Sequence, residues 1–313
     1  MTRYRVTVNL EVTAKCNARC VMCPRETIVA PRPMSLSVLQ HVVARLYPRE
    51  VHRVVVAGYG EPTTHPRFPE CIELLRAAPV RIDMVSNGQL LDETRLRLID
   101  GTIHTLMVSF SSIDPDVYRR VHVNLDQHRV MNNIVQAQKK LQHTQLAISL
   151  TPLSACLPSL EQTIAWLRGI GITALTMSPT LYDRAGALHE MGDSGRQLRD
   201  IIARHGLRSQ EFDFVPSLRD LFSQWRHNRH RCPPRNAVLP IAADGSYQYC
   251  FNDSSHAHPI GHVSSMSLSE ALVQREQMPA RADLCDKCNV RGRYRPTQMA
   301  RALMSYLRSA SRS

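Results

Sequence analysis

The sequence predicts an α/β chain, a partial (β/α)6 barrel of TIM-like type followed by a smaller cysteine-bearing unit. Three observations carry that reading. Short apolar runs alternate with segments of helical period from Val6 to about Ser178, the alternation occurs six times, and it fades after Pro179, ahead of a separate hairpin signal beyond Cys232. Repeated strand-then-helix units build a parallel sheet with helices outside it, and right-handed crossovers curl such a sheet toward a barrel. A chain of 313 residues, 43% of them hydrophobic, is long enough to bury one such core and an appendage.

Taken in order, strands are expected over 6–12, 54–57, 80–85, 105–110, 146–150 and 174–177, where aliphatic and β-branched residues concentrate. Helices are expected over 35–46, 68–77, 92–99, 114–120 with 128–141, and 160–168, where apolar residues return every three or four positions. Gly186, Gly192 and Gly195 mark a loop leading into a helix near 196–204, and 212–225 reads as a connector. Asp244-Gly245, set between apolar runs over 238–242 and 247–251, is a hairpin turn signal. The resulting division is a barrel over 1–205, a connector over 206–230, a hairpin-plus-helix unit over 231–295 and a basic tail over 296–313.

The formal charge of +12 points to acidic company: a phosphorylated or carboxylated substrate, nucleic acid, or an acidic electron donor of flavodoxin or ferredoxin type. The densest basic run is 226–231, and 289–313 lacks acidic residues altogether. Basic residues are otherwise spread over many segments and not interleaved with aromatics, which weighs against a nucleic-acid surface. No stretch approaches eighteen consecutive apolar residues, and the N-terminus enters a strand pattern without a signal-peptide core, so a cytoplasmic protein without a membrane span is expected. In a reducing compartment nine cysteines read as metal ligands before disulfides, and seven of them fall into two spaced sets.

The first set is Cys16-x3-Cys20-x2-Cys23, directly behind the alternating Val6, Val8, Leu10 and Val12. Three thiolates grip three corners of a [4Fe-4S] cube and leave its fourth iron open. A structural zinc site would want a fourth Cys or His nearby, and none follows Cys23 at zinc-finger spacing. The spacing resembles the signature of the radical S-adenosylmethionine (SAM) superfamily. That resemblance implies a barrel of the radical SAM type. It also implies chelation of SAM by the open iron, reductive cleavage to a 5′-deoxyadenosyl radical, and hydrogen abstraction from an unactivated C–H.

The likeness continues in Gly58-Tyr59-Gly60-Glu61-Pro62, similar to the superfamily's Gly-Gly-Glu motif, which implies the backbone of Gly58, Gly60 and Glu61 at the SAM amino group. It likewise implies SAM contacts from Asn87 in Ser86-Asn87-Gly88 and from Ser109 and Ser111 at the end of the fourth strand. Ser-Asn-Gly is also an ordinary turn tripeptide. Where the superfamily usually has an aromatic residue before the third cysteine, packed on adenine, this chain has Met22, whose thioether can cover the same face.

The second set is Cys232-x17-Cys250 with Cys285-x2-Cys288, and it resembles the Twitch form of the superfamily's auxiliary domain, as in dehydrogenases that act on 2-deoxy-scyllo-inosamine and related natural-product intermediates. The resemblance implies a second, fully ligated [4Fe-4S] cluster that carries electrons. The larger SPASM form would want a cysteine six positions beyond Cys288, where Tyr294 stands, so a single auxiliary cluster is expected. A zinc ion held by two cysteine pairs is the rival occupant.

Of the other cysteines, Cys71 shares a helix face with Phe68, Ile72 and Leu75 and reads as packing, whereas Cys156, just past the fifth strand, could return hydrogen to a substrate radical. Asp183, Arg184, His189 and Glu190 are candidate substrate contacts, and His256, His258 and His262 candidate partners of the second site. The leading expectation is a radical SAM dehydrogenase of a small-molecule or natural-product intermediate, with the auxiliary cluster taking the second electron. The alternatives are an epimerase of an aminoglycoside sugar or a peptide residue using Cys156, and a metal-bound nucleic-acid module using Arg291, Arg293 and Arg295.

Overall fold

The computed structural model describes residues 4–24, 27–28, 30–151, 153–177, 194–207, 217–228, 232–286 and 288. Its strands are β1 (Val6–Leu10), β2 (Arg19–Cys20), β3 (Val51–Val56), β4 (Arg81–Ser86), β5 (Thr105–Ser109), β6 (His122–Val123), β7 (Gln145–Leu150), β8 (Leu175–Met177), β9 (Val238–Ile241), β10 (Ser246–Gln248) and β11 (Pro259–His262). The helices are α1 (Leu36–Val43), α2 (Phe68–Arg76), α3 (Glu93–Ile99), α4 (Pro115–Val121), α5 (Gln127–Lys140), α6 (Leu157–Gly169), α7 (Ser194–His205), α8 (Leu218–His227), α9 (Pro233–Ala237), α10 (Leu268–Gln277) and α11 (Ala282–Cys285).

One nine-stranded sheet runs in the order β11-β10-β9-β1-β3-β4-β5-β7-β8. From β1 through β8 every neighbour in that sheet is parallel, as the six expected strand-helix units require. One sheet face, including Val54, Val56, Met84, Leu106, Val108 and Ile148, is fully buried with the helix residues of the core. Alternate positions Val55, Val85, Met107, Ser109 and Ser149 stay half-buried on the other face, brought together by register. Near the amino ends of the strands, the Asp83 carboxylate is gripped by Arg53 at 3.1 Å and Arg81 at 2.9 Å.

The helices begin where the sequence supplies a cap: Ser35, Asp92, Asp114 and Asp126 each accept a first-turn amide of α1, α3, α4 and α5. Ser267 and Glu270 form a reciprocal capping box on α10.

Two differences from the sequence reading matter. The 212–225 connector contains a helix, α8, from Leu218 onward, and its buried face is polar. Asp220 accepts the Arg5 amide at 2.9 Å, and Gln224 donates to the Arg5 carbonyl. The second unit is hydrogen-bonded into the barrel sheet, because β9 pairs parallel with β1 from Thr7↔Val238 to Leu10↔Ile241. Residues 178–193, 208–216, 229–231 and 289–313 lie outside the described residues. With them lie the expected contacts Asp183, Arg184, His189 and Glu190, Tyr294, the tail arginines Arg291, Arg293 and Arg295, and part of the basic run. No helix among the described residues is long and apolar enough to cross a membrane.

Candidate functional site

The carboxyl ends of β1, β3, β4, β5 and β7 form one rim of the sheet, and the chemistry-bearing residues gather there. After β1 the chain enters the 11–24 loop, which presents Cys16, Cys20 and Cys23 half-buried. Three supports hold it. The Glu61 amide donates to the Lys15 carbonyl at 2.8 Å, the Asn87 side chain donates to Asn17 Oδ1 at 2.7 Å, and β2 pairs antiparallel with β6 so that Cys20 faces His122.

Gly60 is needed because the loop backbone lies against it: a Cβ there would fall 1.9 Å from the Thr13 carbonyl oxygen and 2.6 Å from that of Lys15. A Cβ on Gly58 would fall 2.5 Å from the Glu11 side chain, whose Oε2 accepts the Tyr59 amide at 2.8 Å. The glycines expected to admit SAM therefore first admit the cluster loop and Glu11. The Glu61 side chain serves the scaffold: it is 3% exposed, and its carboxylate accepts from the Thr63 amide and hydroxyl, the Ser86 hydroxyl and the Asn87 amide. Burial raises its pKa, against the pull of those four donors.

Asn87 spends its side chain on Asn17 and on the Gln89 amide, so it too braces the loop. Ser109 is half-buried on the sheet face away from the helices, where a ribose contact remains open to it. Ser111 is fully buried, and its hydroxyl is 2.6 Å from His122 Nε2. Met22 is half-buried and packs against the cluster of Val117, Val121 and Cys156.

Cys156 follows β7 in a 3-10 turn and is 1% exposed. Burial pushes its thiol up to about 12, and it hydrogen-bonds Ser111. Cys71 is buried within α2 as expected, its sulfur 3.4 Å from His65 Nδ1.

The second set also gathers. Cys232 caps α9, Cys250 follows β10, and the Cys288 amide donates to the Cys285 carbonyl. Asn252 spans two of them, with its amide 3.5 Å from Cys250 Sγ and its Nδ2 3.3 Å from Cys288 Sγ. Burial lifts the Cys232 thiol to about 11 and Cys250 to about 12, with the neighbouring sulfurs adding to the effect. Among the described residues no three His, Cys, Asp or Glu side chains converge at the radius of a single metal ion.

Two arginines that the sequence reading did not single out stand beside this set. Arg235 and Arg275 are 1% and 0% exposed; their guanidinium groups donate to backbone carbonyls of Arg275, Val238 and Asn236, and neither Nε atom has a hydrogen-bond partner among the described residues. Arg235 also lies 4.4 Å over the Tyr249 ring. Burial lowers Arg275 to about 10, which leaves it charged at neutral pH. Two buried cations of like sign need a counter-charge, and neutral thiols provide none.

The two cysteine sets are joined. Tyr59, between the two glycines, donates its hydroxyl to the Phe251 carbonyl next to Cys250 and lies 6.2 Å from the His256 ring. The hydroxyls of Thr27 and Ser254 are hydrogen-bonded at 2.7 Å. Of the other histidines, His258 pairs with Asp283 on α11 at 2.5 Å, and His262 bonds the Asp244 carbonyl and Ser264, bracing the hairpin turn.

Comparison with known proteins agrees with this geometry. Residues 10–152 match the model of the Radical SAM superfamily. A probable GTP 3′,8-cyclase of Methanococcus maripaludis is 26% identical over 164 residues, 51% of this chain and 52% of that protein. The chain spans about half the length of this and other curated relatives it matches. Among solved structures, Streptococcus suis SuiB bound to precursor peptide SuiA aligns with a TM-score of 0.68 at 10% identity, covering 92% of this chain and 70% of SuiB. BtrN in complex with AdoMet and 2-DOIA aligns with a TM-score of 0.56 at 14% identity, covering 92% and 94%. The three-cysteine loop on the rim of a parallel α/β sheet, the Gly-rich tip that holds it and the matched family model together show that this chain carries a radical SAM domain over residues 10–152.

Proposed function

We propose that the chain is a radical SAM oxidoreductase that removes hydrogen from a carbinol or amine carbon of a small-molecule or natural-product intermediate, with a second metal–thiolate centre receiving an electron. When bound, the first cluster and SAM supply the reducing electron and the 5′-deoxyadenosyl radical. Cys16, Cys20 and Cys23 would hold that cluster, and the soft, half-buried thiol set on the strand rim fits it. Gly60 and Glu61 fix the loop, while Ser109, half-buried, would meet the ribose.

The observation that carries the oxidative reading is the buried pair Arg235 and Arg275 beside four gathered cysteines. Four thiolates around either a [4Fe-4S] core or a zinc ion make a net dianion, a counter-charge for the two arginines. The matched superfamily and the Tyr59 contact to the backbone beside Cys250 favour iron-sulfur, because they tie the second centre to a redox site. An acidic flavodoxin- or ferredoxin-type protein suits the chain's +12 charge as electron donor. The cyclase relative matches about half of the chain, and the substrate in its name is not carried over.

Anaerobic reconstitution followed by iron, sulfide and zinc analysis tests the reading. About eight irons per chain are expected from two [4Fe-4S] clusters. Four irons with one zinc would remove the electron-accepting role. The variants Cys285→Ala and Cys288→Ala should keep SAM cleavage while losing oxidised product; undiminished product would contradict the role of the second centre.

A further inference from the structure

Behind the first cysteine loop lies a chain of four polar side chains: Cys156, Ser111, His122 and Cys20. Ser111 is hydrogen-bonded to Cys156 and lies 2.6 Å from His122 Nε2, while His122 Nδ1 lies 3.3 Å from Cys20 Sγ. Ser111, His122 and Cys156 are each no more than 1% exposed, so water does not compete for these bonds. The β2–β6 ladder fixes the alignment through the main chain, with Cys20 opposite His122 and the Val21 amide donating to the Val121 carbonyl.

The proton positions follow from what each atom can do. A cysteine sulfur bound to iron has no S–H, so it can only accept at Nδ1, and an imidazole lone pair aimed at it from 3.3 Å would be repelled. The tautomer that satisfies both ends carries its proton on Nδ1 and accepts at Nε2 from the Ser111 hydroxyl. Ser111 oxygen is then free to accept from the Cys156 thiol, which burial keeps protonated. Every donor in the run points toward the cluster ligand.

We infer that His122, oriented by Ser111, is a positioning residue that donates a hydrogen bond to the Cys20 sulfur and raises the reduction potential of the cluster held by Cys16, Cys20 and Cys23. An N–H directed at a ligating sulfur withdraws charge from it and favours the reduced cluster. The inference rests on the first cluster being present, and it assigns Ser111 and Cys156 to supporting that cluster.

The test is an EPR-monitored redox titration of reconstituted protein, with iron content measured on each sample. In His122→Phe the reduced-to-oxidised ratio of this cluster at fixed potential should fall about three- to tenfold, equivalent to about 30–60 mV for one electron. His122→Asn, which can offer an amide N–H near the Nδ1 position, should recover most of the shift. Ser111→Ala frees the ring to turn its proton away and should shift the ratio in the same direction by less. Ser111→Ala is read alone if His122→Phe fails to take up iron. An unchanged ratio in variants with full iron content overturns the inference while leaving the proposed function intact, as does an equal shift in His122→Phe and His122→Asn. Absence of the cluster from the wild-type chain overturns both.

Discussion

Gly60 shows how a motif read as a ligand cradle is first a packing requirement. Its missing Cβ leaves room for the Thr13 carbonyl, so Gly60→Ala must displace the cluster loop. The expected outcome is a loss of about 1–3 kcal/mol in denaturant unfolding, together with loss of the first cluster's share of iron and retention of the second. Full iron and unchanged stability would show that the loop can yield. At this scale the cysteine sets were legible because ligand spacing is written along the chain. His122 was not, because its meaning comes from a strand pairing that brings it to Cys20 across 102 positions. Arg235 and Arg275 escaped notice for a related reason: a basic residue in a basic chain reads as surface until its burial is seen.

Elements with a clean period were readable from sequence, and elements defined by their partners were not. The six barrel strands and the helices between them announce themselves through alternation and through caps such as Asp92 and Asp114. The helix α8 defeats the same logic, since it buries Asp220 and Gln224 and leaves Phe222 and Trp225 exposed. Junctions between elements also depend on single polar groups. Asp100, at the end of α3, accepts the amides of Gln142, His143 and Thr144 at 2.8–3.3 Å and so sets the entry into β7.

Burial would raise the Asp100 pKa, but the three amides outweigh it and hold the carboxyl below its usual range. A depressed folded-state pKa means that the folded chain binds fewer protons than the unfolded one. The stabilisation is therefore present above about pH 4 and is lost as pH falls through the folded value. Asp100→Asn should lower stability at neutral pH by about 1–2 kcal/mol. It should also flatten the acid limb of a stability-against-pH curve; an unaltered acid limb would contradict the assignment.

Across the whole molecule, the sheet joins the first cysteine loop's strand to the segment that carries the second cysteine set. The second unit continues the barrel sheet through β9, and its 250–256 turn docks on Tyr59 and Thr27, so both cysteine sets are referenced to one framework. That continuity could not be read from the chain, because a parallel pairing between residues 7–10 and 238–241 leaves no local pattern. The most direct measurement is the formation of 5′-deoxyadenosine from SAM by anaerobically reconstituted, dithionite-reduced protein, alongside a variant with Cys16, Cys20 and Cys23 all changed to Ala. The wild-type protein should be coloured and release 5′-deoxyadenosine, and the triple variant should release none. A wild-type protein that takes up iron yet leaves SAM intact, or a triple variant that still cleaves it, would rule out a SAM-cleaving cluster on these three cysteines.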